Sequence, residues 1–161
     1  MEKVRRNIKQ YRDRKRSLNE QATKNSLIDP ILRGLGWDTE NADEVDPEHK
    51  HKGKGNPVDY GLLIQKSAVL FVEAKALDTN LEVHKFESQI VNYANTAGVK
   101  WCVLTDGDTY IIYYAMALAD LEDKRFRSIK ISEAHQCEHV LATLELLSKE
   151  SLAGTPTIDG E

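Results

Sequence analysis

Among the residues of this chain, the best suited to chemistry are one aspartate and one glutamate–lysine pair on neighbouring β-rich runs. They stand in Pro57-Val58-Asp59 and in Glu73-Ala74-Lys75. Two apolar runs, Val58 to Ile64 and Ala68 to Ala74, carry them, and Gln65, Lys66 and Ser67 between these runs suit a short hairpin. Residues two apart on a strand share a face, so Glu73 and Lys75 are predicted to share one with Val69 and Phe71. A three-residue loop pairs Ile64 with Ala68, and the same register sets Asp59 opposite Glu73, about 5 Å away across the strands. A slip of one residue would part the two acids and leave an ordinary salt-bridge patch at a strand end. In register they make a hard-oxygen site suited to Mg²⁺, which can polarise a phosphoryl oxygen and activate water. Lys75 is then placed to orient the water or to stabilise charge developing on phosphorus. These are parts for phosphodiester hydrolysis.

Other elements must hold that hairpin in place. Residues 1–16 carry eight bases against Glu2 and Asp13, a local charge of +6 in a chain of net charge −4, so the remainder holds −10. Such an arm attracts a polyanion that the acidic body repels. Residues 3–16 can form a helix, but with little apolar periodicity it must be stabilised by docking or by a partner. Residues 18–35 read as a helical segment with Leu18, Ala22, Leu27, Ile31, Leu32 and Leu35 apolar. Pro30 kinks it or starts a new turn after Asp29, and Gly34 and Gly36 stop it before Trp37, which packs its end. Residues 49–56 form a basic, Gly-containing loop that could touch phosphate. Residues 81–96 read as an amphipathic helix with Val83, Phe86, Ile90 and Ala94 near one face. Lys100 to Thr105 and Thr109 to Tyr114 flank Asp106-Gly107-Asp108, a hairpin signal that favours a turn over an acidic metal pair. Phe126 to Ile131 adds a strand, and residues 133–149 a closing helix with Val140, Leu141, Leu144 and Leu147 inward. From Gly154 the chain reads as a tail or linker.

Composition sets the bounds. With 161 residues, 40% hydrophobic and 30% charged, the chain suits one domain with its own core. No apolar run approaches the roughly 18 residues of a membrane span, and no apolar stretch follows the basic N-terminus as in a secretory signal. The two cysteines, Cys102 and Cys137, lack C-x-x-C spacing and read as reduced thiols of a cytoplasmic protein, Cys102 as a core residue. His135 and His139 with Cys137 between them fall short of a zinc site, because no second ligand cluster is evident.

The sequence resembles the PD-(D/E)xK nuclease superfamily, and within it the N-terminal domain of the restriction subunit of type I restriction enzymes and related stand-alone proteins. The matching stretches are Asn19-Glu20, Thr23 to Leu32, Leu35-Gly36-Trp37, Val58-Asp59-Tyr60, Phe71 to Lys75, Gln89 to Tyr93 and Val103 to Gly107. They cover most of residues 18–131. One departure is Val58, which intervenes between Pro57 and Asp59. The resemblance implies an α/β, restriction-endonuclease-like fold, a mixed central sheet flanked by helices, over residues 18–150, between a basic arm at 1–17 and a flexible tail at 151–161. It implies a DNA endonuclease with Asp59 and Glu73 as ligands of Mg²⁺ or Mn²⁺, Lys75 as the catalytic lysine and Glu20 as an additional acid. Gln89 and Tyr93 match a Gln-x-x-x-Tyr motif and would hold the nucleic-acid backbone or position the catalytic groups. The implied partners are DNA and the motor, specificity or modification subunits of a restriction system, with a homodimer as one route to double-strand cleavage. The chain has no P-loop and so no ATP site of its own. The competing expectation is a catalytically silent nucleic-acid-binding or assembly module of a larger restriction complex.

Overall fold

The computed structural model describes residues 1–53, 55–136 and 138–154, the side chains of His135 and Gln136 excepted. Six strands form one mixed sheet in chain order: β1 (Val45–His49), β2 (Val58–Ile64), β3 (Ser67–Ala74), β4 (Trp101–Thr105), β5 (Thr109–Tyr114) and β6 (Arg125–Lys130). Every neighbouring pair is antiparallel except β3 and β4, which run parallel. A parallel pair cannot be closed by a hairpin, and α4 (His84–Ala97) makes the crossover. On one face, Ile90, Val91 and Ala94 of α4 pack over Phe71, Cys102, Leu104, Ile111 and Tyr113. The other face is covered by α1 (Glu2–Asp13), by α2 (Glu20–Thr23), a π-helical turn (Lys24–Ile28) and α3 (Asp29–Gly34) in succession, and by α5 (Glu138–Glu145) with α6 (Lys149–Ala153). The chain is therefore α/β, with helices on both faces of a mixed sheet. Among the described residues no helix is long and apolar enough to cross a membrane.

The β2–β3 hairpin is tighter than the predicted three-residue loop. Ile64 pairs with Ser67, and the turn is Gln65-Lys66, both at positive φ, as a type I′ turn requires. A bulge then falls between Leu62 and Leu63, where Val69 is the unpaired residue of β3. The extra residue restores the predicted register toward the site, with Leu62 opposite Leu70 and Tyr60 opposite Val72. It also turns Val69 away from the face of Phe71: Val69 packs with the core of Leu62 and Val72, Phe71 with the core under α4. The expected shared face of Val69 and Phe71 is thus corrected, while Glu73, beyond the bulge, keeps the face of Phe71.

Other elements also depart from expectation. β1 is an edge strand that the sequence did not announce, because Pro47 and its charged neighbours lack strand character. Val83 precedes α4 and is exposed. The closing helix is broken into a 3₁₀ turn (Ile131–Gln136), α5 and α6, so residues 149–153 are helical, and Leu141 faces out while Val140, Leu144 and Leu147 are buried. α1 docks through Val4 and Ile8, one helical turn apart and both buried. Arg12 fixes its far end, with Nη2 2.7 Å from Asp78 and Nη1 2.7 Å from buried Asp108. Trp37 closes the first helical run as expected, and its indole N–H donates to the Leu147 carbonyl at 3.0 Å.

The β4–β5 turn seats the π-helical turn. Asp106 accepts hydrogen bonds from the N–H groups of Asp108, Thr109 and Asp78, so it is a turn-former and strut. Gly107 sits at φ 90°, and a Cβ there would meet the Leu27 side chain at 2.9 Å and Thr23 Cγ2 at 3.1 Å. Gly107→Ala combines a disfavoured backbone angle with overpacking and is expected to destabilise the fold by about 2–4 kcal/mol. Gly34→Ala, with nothing within 4 Å of the added methyl, should be neutral or stabilising by up to about 1 kcal/mol. Urea denaturation of both variants checks this contrast.

Candidate active site

The hairpin register delivers two carboxyl groups to one point. Asp59 is buried on β2, and its Oδ2 accepts the Ala74 N–H from β3 at 2.7 Å. Its side chain is also hydrogen-bonded to that of Glu73. Two carboxyls at this range cannot both ionise easily, so one keeps a proton. Burial, the hydrogen bond to Asp59 and the charge of Asp59 push Glu73 up to about 9. Burial would raise Asp59 too, but hydrogen bonds from Glu73, Lys24 and the Ala74 N–H outweigh it and hold Asp59 below the usual carboxylate range.

Lys24 is the site residue that the sequence reading passed over. It is buried, with Nζ 2.6 Å from Asp59 Oδ1 and 3.3 Å from Glu48 Oε1 on β1. Burial disfavours its charge, yet Asp59 and Glu48 hold it more firmly protonated than a free lysine. Its side chain projects from the π-helical turn, a feature frequent at functional sites. The available signal was its spacing: Lys24 follows Glu20 by four residues, one helical turn on the same face. Glu20 itself is exposed in the first turn of α2, whose N-terminus is capped by the Asn19 side chain. Its negative charge reaches Glu73 and adds to the upward shift there.

The segment that leaves β3 is pinned at three backbone points. Lys75 N–H donates to the Thr105 carbonyl at 2.8 Å, Leu77 N–H to Thr23 Oγ1 at 3.1 Å and Asp78 N–H to Asp106 at 3.0 Å. Among the described residues Lys75 makes no ion pair. Its ammonium lies 4.3 Å from the centre of the Phe86 ring, and its charge opposes the rise at Glu73.

A cleft of about 520 Å³ opens beside Glu73, walled by Gln89 and Tyr93 of α4 and by the loop residues His51, Lys52 and Asn56. Gln89 is exposed to it. Tyr93 packs edge-on against Phe71 at 5.0 Å, and its hydroxyl accepts from the His51 N–H at 2.6 Å and donates to the His49 carbonyl at 3.1 Å. It therefore positions the basic loop. His49, read from the sequence as the start of the basic loop, is instead the last residue of β1; its ring lies 5.5 Å from that of Phe71 and is tied to Asp46 at 2.7 Å. Gly61 makes its place, since a Cβ there would come within 2.6 Å of the His49 ring.

The structure thus brings Asp59 and Glu73 together, with Lys75 and Glu20 in electrostatic reach and Gln89 and Tyr93 on the adjoining cleft. Among the described residues no group of three or more His, Cys, Asp or Glu side chains gathers as a metal cage. Asp59 and Glu73 nonetheless fit a hard divalent ion, which can hold two carboxylates and complete its shell with water. A cation, the Lys24 ammonium, already stands at Asp59 Oδ1. Of the weak zinc candidates, Cys137 and the His135 side chain lie outside the described residues. Cys102 is buried, and burial pushes its thiol up to about 12. No family model, curated protein or solved structure matches the chain.

The raised Glu73 gives metal-free protein a defined pH response. Its proton favours the folded state, so its contribution is complete below the ordinary value of 4.5 and is lost as pH rises toward about 9. Asp59, shifted the other way, contributes above its ordinary 3.8 and loses that contribution as pH falls through its lower folded value. Between pH 5 and 9 the Tm of the wild type is expected to fall relative to that of Glu73→Gln, which keeps a donor toward Asp59 and does not ionise. Parallel Tm curves in a chelator would contradict the shared proton.

Proposed function

We propose that this chain is a Mg²⁺-dependent endonuclease domain of the PD-(D/E)xK type, built on a restriction-endonuclease-like sheet and acting on DNA phosphodiesters. The observation that carries the reading is the Asp59–Glu73 pair at the end of one hairpin, Asp59 buried and Glu73 half-buried on the wall of a cleft, followed by Lys75, which makes no ion pair among the described residues. The order of elements supports the fold: an antiparallel pair bearing the acids, a crossover helix, then a parallel strand. The choice of DNA over RNA, and a place in a restriction system beside motor and specificity subunits, rest on the sequence resemblance.

Asp59 and Glu73 would hold the divalent ion, which supplies Lewis acidity to a phosphodiester oxygen and to the attacking water. The chain's own groups do the rest. Ala74 N–H fixes one oxygen of Asp59 and leaves the other to a cation. Lys75, free of carboxylate partners among the described residues, donates to the water or to charge developing on phosphorus. Gln89 offers its amide to the nucleic-acid backbone across the cleft. Tyr93 acts through the loop, holding His51 and Lys52 at the cleft wall, where cations meet phosphate. At the N-terminus, Arg5, Lys9 and Arg12 are spent on internal acids. Arg14, Lys15 and Arg16, exposed after α1, have no ion pair among the described residues and remain available to a polyanion.

One observation favours the second reading, a nucleic-acid-binding module without catalysis: Lys24 already neutralises Asp59. Cleavage of supercoiled plasmid in Mg²⁺ separates the two. Wild type is expected to nick or linearise it, and Lys75→Ala and Asp59→Ala to lose on the order of 10²–10³-fold in rate, as when one transition-state donor is removed. Cleavage undiminished in both variants overturns the mechanism. Binding that persists in EDTA with no cleavage in Mg²⁺ or Mn²⁺ selects the module.

A further inference from the structure

We propose that Lys24 is a resident counter-ion of the carboxylate pair, holding Asp59 while no divalent ion is bound and moving to Glu48 when one binds. The inference rests on the metal-dependent reading above but concerns occupancy of the site rather than cleavage.

Four observations carry it. The Lys24 side chain is only 11% exposed, and an ammonium so enclosed is costly unless it is paired. Its pairing is unequal, 2.6 Å to Asp59 Oδ1 and 3.3 Å to Glu48 Oε1, so a second acceptor stands within a small shift of the first. The acceptors differ in depth: the Asp59 side chain is 7% exposed and the Glu48 side chain 61%, which makes Glu48 the outward berth. Finally, Asp59 Oδ2 is taken by the Ala74 N–H, so Oδ1, the oxygen open to a metal, is the one that Lys24 holds.

The surroundings allow the movement. A polar hollow of about 260 Å³ is lined by Lys24, Asn25, Glu48, Asp59 and Tyr60, on the side of the site where the first helical run meets β1. Glu48 is held at φ 51°, a left-handed angle that a non-glycine residue adopts at a cost, and its side chain reaches Lys24 from there. A divalent ion at Oδ1 and the ammonium repel each other at that distance, so the ion's binding must include the breaking of the Lys24–Asp59 bond. Lys24 thereby lowers divalent affinity and keeps the acids neutralised in the metal-free protein.

Mg²⁺ titration calorimetry on the full chain, without nucleic acid, tests this with wild type, Lys24→Met, Glu48→Gln and the double variant. Lys24→Met is expected to bind Mg²⁺ roughly tenfold more tightly or better, the size of one charge-assisted hydrogen bond that no longer has to be broken. Glu48→Gln should bind more weakly than wild type, and in the Lys24→Met background the same change should have no effect, because Glu48 acts through Lys24. Equal or weaker affinity in Lys24→Met overturns the proposal, as does an equal effect of Glu48→Gln in both backgrounds. If wild type binds Mg²⁺ and Lys24→Met gains nothing, only this inference falls; if neither binds, the metal-dependent reading falls with it. A measurement that needs no destabilised variant is the Lys24 ¹⁵Nζ resonance, assigned by its loss in Lys24→Arg. It should shift on addition of Mg²⁺, and an unmoved resonance overturns the displacement.

Discussion

Everything at this site follows from forcing two carboxyl groups together at the half-dry end of a sheet. At a cross-strand separation of about 5 Å and an effective dielectric of about 20, two carboxylates repel by roughly 3 kcal/mol. That is a large share of the 5–15 kcal/mol by which domains typically hold together. The fold meets the repulsion in three ways at once. Glu73 keeps a proton and shares it with Asp59, the Ala74 N–H takes one oxygen of Asp59, and the Lys24 ammonium takes the other. Each is a local device, and each depends on a different element being in place.

That dependence explains features that look unrelated to chemistry. The Ala74 contact exists because the bulge at Val69 corrects the register of a two-residue turn. Without the bulge, the hairpin would slip by one residue, and the slip would move Asp59 away from Glu73. Lys24 reaches Asp59 because the π-helical turn lies against the β4–β5 hairpin, an approach that only a glycine at position 107 permits. The segment after Lys75 is tied to the same hairpin through Asp106, and α1 is tied to that segment through Arg12. The N-terminal helix, the two hairpins and the first helical run thus form one bonded frame around the acids.

How far this could be read from the sequence depends on where the signal lies. The hairpins, the crossover helix and the Asp59–Glu73 register were legible because hydrophobic alternation and turn residues are local. Even so, the register came out right through two offsetting departures, a shorter turn and an extra bulge. β1 was not legible, since Pro47 and its charged neighbours gain strand structure only from pairing with β2. Leu141 was assigned inward with its neighbours, but Val140 and Leu144, one turn apart, mark the buried face of α5, and Leu141, about 100° on from Val140, falls to its exposed side. The contacts of Lys24 and His49 were not legible for a deeper reason. The spacing from Glu20 places Lys24 on a helix face but names no partner: Asp59, like Phe71 beside His49, lies far along the chain, where only the tertiary fold brings the residues together. Tyr93 shows the converse: its motif was legible, but its contact with the backbone of the basic loop was not.

The acidic balance of the chain carries less weight against a polyanionic substrate than its net charge suggests. Several acids are consumed internally: Asp108 and Asp78 by Arg12, Glu87 by Arg125 and the Tyr113 hydroxyl, Glu44 by Lys149. A charge paired at 3 Å contributes little to the field beyond a Debye length of about 8 Å. What a phosphate backbone would meet there is the local balance: Lys52 on the cleft wall, Lys75 beyond Glu73 with no ion pair among the described residues, and a carboxyl pair that holds one proton between two groups. Of the two carboxyls, Asp59 is already neutralised by Lys24. The metal-free cleft is therefore far less repulsive than a count of acids implies, and the same pairings that stabilise the empty site leave its mouth open to an anion.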